Sequence, residues 1–324
     1  MWKLLRLNWI AFASSLFLLA AILYVLGRKG GLDALFSVWD RTNTVAFFVA
    51  ILLMFAVQST NAWRVKIIAT ADGLPSIGYL SLFRIQLISQ FIAYGSPISA
   101  LSDVAKAAMI KLRFNLPVGQ SIRIVIYERI CGALGAVVVG LIATFCQLVV
   151  PTPTTLIDVQ FLVWLAGLIG GGVVLACGGL HISSRIGLFD RAARAITSLG
   201  NMLRRPLVAS ELLLVSFAQL VGFSLVFIVL ALGMHLPTSS LHIVLFMPFI
   251  FIISSLPIFY QGWGGREAIV MVTIGGLGTV SIAQSIALSV AFGVVVFLSS
   301  IPGAVFWIMR PSMRKSVRLE VEQT

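Results

Sequence analysis

The sequence predicts an all-α polytopic membrane protein, and three observations carry that expectation. Of 324 residues, 59% are apolar and only 10% are charged, against about 25% charged in an average soluble domain. The mean hydropathy is +1.05. The apolar residues also come in long unbroken runs, where the strands of a membrane barrel would alternate polar and apolar in units of ~10 residues. A soluble fold cannot hide that much apolar surface, because much of its exterior must stay wet. A soluble enzyme, a secreted domain and a disordered chain are therefore excluded.

A spanning helix needs about 20 apolar residues. Runs of that kind fall at 8–27, 44–62, 122–149, 161–180, 211–233 and 284–309. Two further regions are apolar but interrupted: 77–101 by Arg84, Gly95 and Pro97, and 241–282 by Pro248, Pro257 and the glycines of 262–265. The expected architecture is six to eight spanning helices with one or two re-entrant hairpins. The first run is read as a retained helix, since it has full span length and no small-residue cleavage site. Cys131, Cys146 and Cys177 lie inside apolar runs with no pairing pattern, as small packing residues do.

Basic residues set the orientation. With the N-terminus cytoplasmic, seventeen of the 23 Lys and Arg residues fall in inward segments, and only Arg28, Lys29 and Arg41 face out. This positive-inside bias predicts that both termini are cytoplasmic. It also requires 77–101 to enter from the cytoplasm and return, because a single crossing would invert every later loop. Region 241–282 either crosses twice or re-enters from outside. With two hairpins, residues 1–150 and 151–310 become halves of an inverted-topology repeat, followed by a cytoplasmic tail at 311–324. Transporters use that plan to bring broken helices together near the midplane. Residues 183–205 read as a basic amphipathic surface helix, with Phe189, Ala192, Ala193, Ile196, Leu199 and Leu203 on one stripe.

Charges within apolar runs are functional candidates, since each costs at least ~2.5–3.5 kcal/mol on insertion scales. Arg84 lies one third of the way into the first broken region. Asp103 and Lys106 follow it three residues apart, on one face of a helix. Glu128 and Arg129 sit about two turns into the run 122–149; as neighbours they point some 100° apart, so each needs another partner. Arg129 carries the planar fork that suits a phosphate. Gly132 and Gly135 follow at a spacing that permits close helix contact. Gln261, Gly262, Trp263, Gly264, Gly265, Arg266 and Glu267 form the densest cluster, where a glycine-rich turn delivers backbone N–H groups and an arginine to a helix start. No cluster has metal-ligand spacing, no cofactor motif is present, and no nucleic-acid motif accompanies the basic residues.

These elements, in order, resemble the lysylphosphatidylglycerol synthase transmembrane-region family, in its stand-alone form without the aminoacyltransferase domain. The resemblance rests on Trp63-Arg64, on Pro97 followed by Asp103 and Lys106, on Glu128-Arg129 with Gly132, on Pro257 and the Gly262–Glu267 segment, and on Pro302-Gly303. Leu101-Ser102 stands where the family has a glycine pair, Lys106 where arginine is commoner, and Gln261 where the second motif begins with glycine. The resemblance implies a flippase of the bacterial inner membrane and no enzyme activity. Its substrate would be a phosphate-containing glycolipid or a polyprenyl-phosphate-linked headgroup. The resemblance and the charges within apolar runs together give the expected binding residues: Arg84, Asp103, Lys106, Glu128, Arg129, Gln261, Gly262, Gly264, Arg266 and Glu267. Expected partners are a membrane lipid with an anionic headgroup and a glycosyltransferase or lipid-synthesis enzyme. Two rival readings remain at this stage. One is an integral-membrane enzyme with Asp103, Glu128 or Glu267 as acid or base; the other is a scaffold for glycolipid synthesis, in which these charges are dispensable.

Overall fold

The computed structural model describes residues 42–74, 77–95, 99–147, 198–255 and 259–309. The expected spans at 8–27 and 161–180, the surface helix up to residue 197 and the tail at 311–324 lie outside them. The described residues are helical, joined by short turns, with no strand among them. The helices are α1 (Thr44–Ala71), α2 (Tyr79–Gly95), α3 (Ser99–Phe114), α4 (Val118–Gln147), α5 (Pro206–Gly233), α6 (Ser240–Ser255), α7 (Gly265–Thr273) and α8 (Ile282–Ile308). Four of them, α1, α4, α5 and α8, are long and apolar enough to cross a membrane. The class is that of a polytopic all-α membrane protein.

Local chemistry sets the boundaries. Asn43 caps α1 by accepting from the Val45 N–H at 2.8 Å. Ser281 and Gln284 form a reciprocal capping box at the start of α8. Pro206 opens α5, where its missing N–H is no loss. Lys111 and Arg113 lie in the last turn of α3, the favourable end of the helix dipole for cations.

The two interrupted regions become helical pairs. α2 and α3, of 17 and 16 residues, are each short of a full span and pack against each other. Arg113 meets Ser81 and Lys106 meets Gln86, so the two helices run antiparallel. α6 and the nine-residue α7 form the corresponding pair, joined through a 3-10 turn at Tyr260–Gly262.

A pseudo-two-fold relation runs through these contacts. Exchange α1 with α5, α2 with α6, α3 with α7 and α4 with α8, and each helix–helix contact maps onto another observed contact. α2 packs on α8 as α6 packs on α4; α1 packs on α8 as α5 packs on α4. α1 and α5, mutual counterparts, pack on each other and run antiparallel. Gly233 lies against Ala46, Gly222 against Val57, and Gln219 bonds Asn61. The Asn43 N–H donates to the Gly233 carbonyl at 2.8 Å, tying the start of one helix to the end of the other.

Two apolar cores result. One gathers Ala50, Met54 and Val57 of α1 with the C-terminal half of α5 and with α6, α7 and α8. The other gathers the later residues of α1 with α2, α3, the early part of α4, and Leu199 and Met202. Leu199 and Leu203, from the expected surface stripe, pack on this second core. Between the cores, mid-way along α1, lie Gln58, Asn61 and Arg64.

One expectation is corrected here. The run 44–62 suggested that Arg64 and Lys66 sit in a cytoplasmic loop, yet α1 continues to Ala71 and Arg64 is buried. Burial among polar residues of neighbouring helices lets the helix carry a cation past the end of its apolar run. Gly132 and Gly135 of α4 do permit close contact, but with different helices: Gly132 admits the Arg64 guanidinium and Gly135 admits Ser216 of α5.

The tightest backbone approach lies between α8 and α2. A Cβ on Gly303 would strike the Leu87 carbonyl oxygen and lie 3.0 Å from the Ile88 nitrogen, and neither backbone atom can yield. Gly303→Ala should destabilise the purified protein by at least the ~1–3 kcal/mol typical of overpacking. Gly119→Ala, in open space on α4, should be neutral or stabilising by up to ~1 kcal/mol. Equal melting temperatures for the two variants in detergent would contradict this α2–α8 packing.

Candidate functional site

Two polar clusters occupy the region where the helical pairs meet, one contributed by each half. In the first, Asp103 and Lys106 share a face of α3 and meet α4 side by side. Lys106 Nζ donates to both carboxylate oxygens of Glu128, at 2.5 and 2.7 Å, and to Gln86 Oε1 at 2.6 Å. Gln86 Nε2 donates in turn to Gln58 of α1 at 3.1 Å. The Lys106 and Glu128 side chains are only 7% and 9% exposed. Arg129 takes Asp103 instead, through Nη2 at 2.8 Å and Nε at 3.3 Å. Its side chain is 65% exposed and that of Asp103 36%. The neighbours Glu128 and Arg129 thus bond to different residues of α3, one pair sealed and one open.

Arg64 stands beside this cluster. It donates to Gln219 of α5, and Gln219 donates to Asn61 at 3.0 Å. Among the described residues its Nε meets no acceptor. Sequence reasoning missed Arg64, Gln58, Asn61, Gln86 and Gln219 as members of a network. A signal was present: Gln58, Asn61 and Arg64 recur every three residues along one side of an apolar helix.

The second cluster is built on a sharp backbone turn. Gln261, Gly262 and Gly264 have φ of 50°, 79° and 83°. Gly264, with ψ of −53°, is in a region that side chains avoid, so glycine is required there. Gly265 begins α7 with ordinary helical geometry, and the Phe259 ring packs on its Cα. Glu267 accepts from the Gly264 N–H at 2.6 Å and from Arg266 at 2.8 and 3.2 Å. Ser289 of α8 accepts from Arg266 at 3.1 Å and donates to Glu267 at 3.0 Å. The Arg266 guanidinium lies over the rings of Trp263 and Phe292, 4.9 and 5.5 Å from their centroids. Both members of the pair are buried.

Arg266 is accordingly engaged within the protein. The arginine that the sequence reading put at this helix start faces Glu267 and Ser289. Adjacent side chains can pair here because Glu267 folds back over the first turn of α7 to reach the Gly264 N–H. Gln261 is half-buried beside the turn. The turn also meets the first half: Tyr260 donates to the carbonyls of Ala93 and Tyr94, at 3.3 and 2.8 Å, in the last turn of α2.

Arg84 joins neither cluster. It is exposed, stacks 5.7 Å from the Phe306 ring of α8, and lines a cleft with Arg113.

With this arrangement in place, the comparison with known proteins is informative. Residues 9–303 match the family described as the lysylphosphatidylglycerol synthase TM region. The chain belongs to that family. The match spans both clusters and every described helix up to Gly303 of α8. No curated protein matches the sequence. This member of the lysylphosphatidylglycerol synthase TM-region family is therefore an all-α membrane protein whose own broken helices carry ion pairs.

The buried pair of the first cluster yields a direct test. Lys106→Met or Glu128→Leu alone leaves an uncompensated charge in an apolar interior, which costs about 3–5 kcal/mol. The double variant removes both charges and should recover most of that loss. A thermal-stability double-mutant cycle measures the coupling, and additive losses would mean that the pair is not sealed from water. Gly264→Ala should cost more than the ~1 kcal/mol of an ordinary helical glycine replacement.

Proposed function

We propose that the protein is a lipid transporter of the bacterial inner membrane, moving a lipid with an anionic, phosphate-containing headgroup between leaflets. The observation that carries this reading is the Asp103–Arg129 pair. Arg129 lies eleven residues into the 30-residue α4, roughly 16 Å along its axis at 1.5 Å per residue. A guanidinium that far inside a spanning helix, yet exposed, needs polar company. A lipid headgroup drawn in from the membrane supplies it, with the acyl chains remaining in lipid. The guanidinium can grip a phosphate through two parallel bonds, while Asp103 holds it in place between substrates.

On this reading residues 1–150 and 151–310 are the halves of an inverted repeat, with both termini and the tail at 311–324 cytoplasmic. The first helical pair re-enters from inside and the second from outside. The pseudo-two-fold relation and the antiparallel α1 and α5 support it, as does the meeting of the two tips at Tyr260. Lys106–Glu128 and Arg266–Glu267 hold the two broken regions in shape, and Arg129 contacts the substrate. A glycosyltransferase or lipid-synthesis enzyme would load or consume the lipid.

Arg129→Ala should abolish translocation of a headgroup-labelled anionic lipid in reconstituted vesicles, with little loss of stability, because the side chain is exposed. Arg129→Lys should restore only part of the rate. Unchanged transport in Arg129→Ala would remove the assignment.

The topology has its own check. Asn115 and Thr279 are exposed and occupy equivalent turns, before α4 and before α8. A cysteine at Thr279 should react with an impermeant reagent added to intact cells, and one at Asn115 should not. Reaction of both from outside would overturn the inverted repeat.

A further inference from the structure

The cleft beside Arg84 lies apart from both clusters, and its composition points to an occupant. It measures about 220 Å³, room for more than a water molecule at about 30 Å³. Its lining is partly polar and cationic, with Ser81, Arg84 and Arg113, and partly apolar, with Ile85, Ile88, Phe306 and Met309. Because α2 and α3 are antiparallel, the first turns of one and the last turn of the other coincide. The C-terminal end of α8 joins them there. The cleft is therefore at the mouth of the helical pair, the end opposite its tip. That end gathers further cations: Arg123 pairs with Asp72, and Arg205 reaches the Ala71 carbonyl.

Charge in the cleft is not balanced. Arg123, Arg129, Lys106 and Arg266 each have a carboxylate. Among the described residues Arg84 and Arg113 have none. Arg113 makes one long contact of 3.4 Å through Nε to Ser81. The Arg84 guanidinium carbon lies over the Phe306 ring, 5.7 Å from its centroid. Its fork of N–H groups matches two oxygens of a phosphate.

We infer that this cleft binds the phosphate of a membrane lipid, held between Arg84 and Arg113, with an acyl chain against Phe306 and Met309. The site does not depend on the transport reading. An anionic lipid bound there would brace the mouth of the helical pair against α8 whether or not any lipid moves. A free phosphate would satisfy the two arginines but leave the apolar lining uncovered, and a lipid satisfies both.

The test uses the full-length protein. A phosphatidylglycerol carrying a photoreactive acyl chain should label wild-type protein on residues 81–88 and 306–309. In native mass spectrometry, Arg84→Gln/Arg113→Gln should bind phosphatidylglycerol at least tenfold more weakly, and Arg84→Lys/Arg113→Lys should fall in between. Both residues are exposed, so neither change disturbs a packed interior; the photolabelling of wild-type protein stands even if a variant fails to fold. Equal phosphatidylglycerol binding by the glutamine variant, or labelling elsewhere, would overturn the site. Displacement of the lipid by millimolar inorganic phosphate would show a site for soluble anions and would also overturn it. So would tighter lipid binding in Glu320→Gln/Glu322→Gln, which would make the two carboxylates of the tail the natural occupants.

Discussion

A helix that ends inside an apolar bundle leaves backbone N–H and carbonyl groups that must find partners within the protein, and the described residues have two such places. The remaining structure answers that constraint. At the end of α2, the carbonyls of Ala93 and Tyr94 accept from Tyr260 of the opposite half. At the start of α7, the Gly264 N–H finds Glu267. Positive φ at Gln261, Gly262 and Gly264 turns the chain tightly enough for these partners to be reached. The end of α2 is thus completed from the opposite half, and the start of α7 from its own first turn.

The charges follow from the same constraint. A carboxylate strong enough to hold a backbone N–H at that depth must itself be neutralised, and Arg266 does so, with Ser289 bonding to both. The first half solves the equivalent problem across two helices, with Lys106 on α3 and Glu128 on α4. Gln86 and Gln58 extend that pair to α2 and α1, so one ammonium group links four helices. Neither pair needs to stabilise the fold much beyond what an apolar replacement would; what each does is forbid packings that would leave one charge alone.

Much of this was legible in the sequence. Pro97, Pro257 and the glycines of 262–265 marked the breaks, and the distribution of Lys and Arg gave the expected orientation. The neighbours Glu128 and Arg129 announced that each needed another partner. What the sequence could not show was depth. Arg64 follows an apolar run as a loop residue would, and only the approach of Gly132 and Gln219 shows why it is buried. Arg266 looked available because its partner was its own neighbour; the rings of Trp263 and Phe292, and Ser289 some two dozen residues on, enclose it. Pairing within a helix face can be read from spacing. Pairing between helices depends on which faces meet, and an apolar chain offers many candidates.

The two halves are related in plan but not in state. At the first broken region one ion pair is sealed and a second is open; at the second, the Arg266–Glu267 pair is sealed beneath two aromatic rings. Freeing Arg266 would expose a buried charge and give up contacts to Glu267, Ser289, Trp263 and Phe292 together, a loss of several kcal/mol. Parting Arg129 from Asp103 where water reaches them costs about 0–1 kcal/mol. Under the transport reading, a headgroup would displace the weaker contact, and motion would begin at the α3–α4 seam with the α7 turn as its fixed support. The placement of Tyr260 fits that division. It anchors on backbone carbonyls of α2, which stay in place when side chains of α3 exchange partners, so the meeting of the tips can persist while the seam beside it opens.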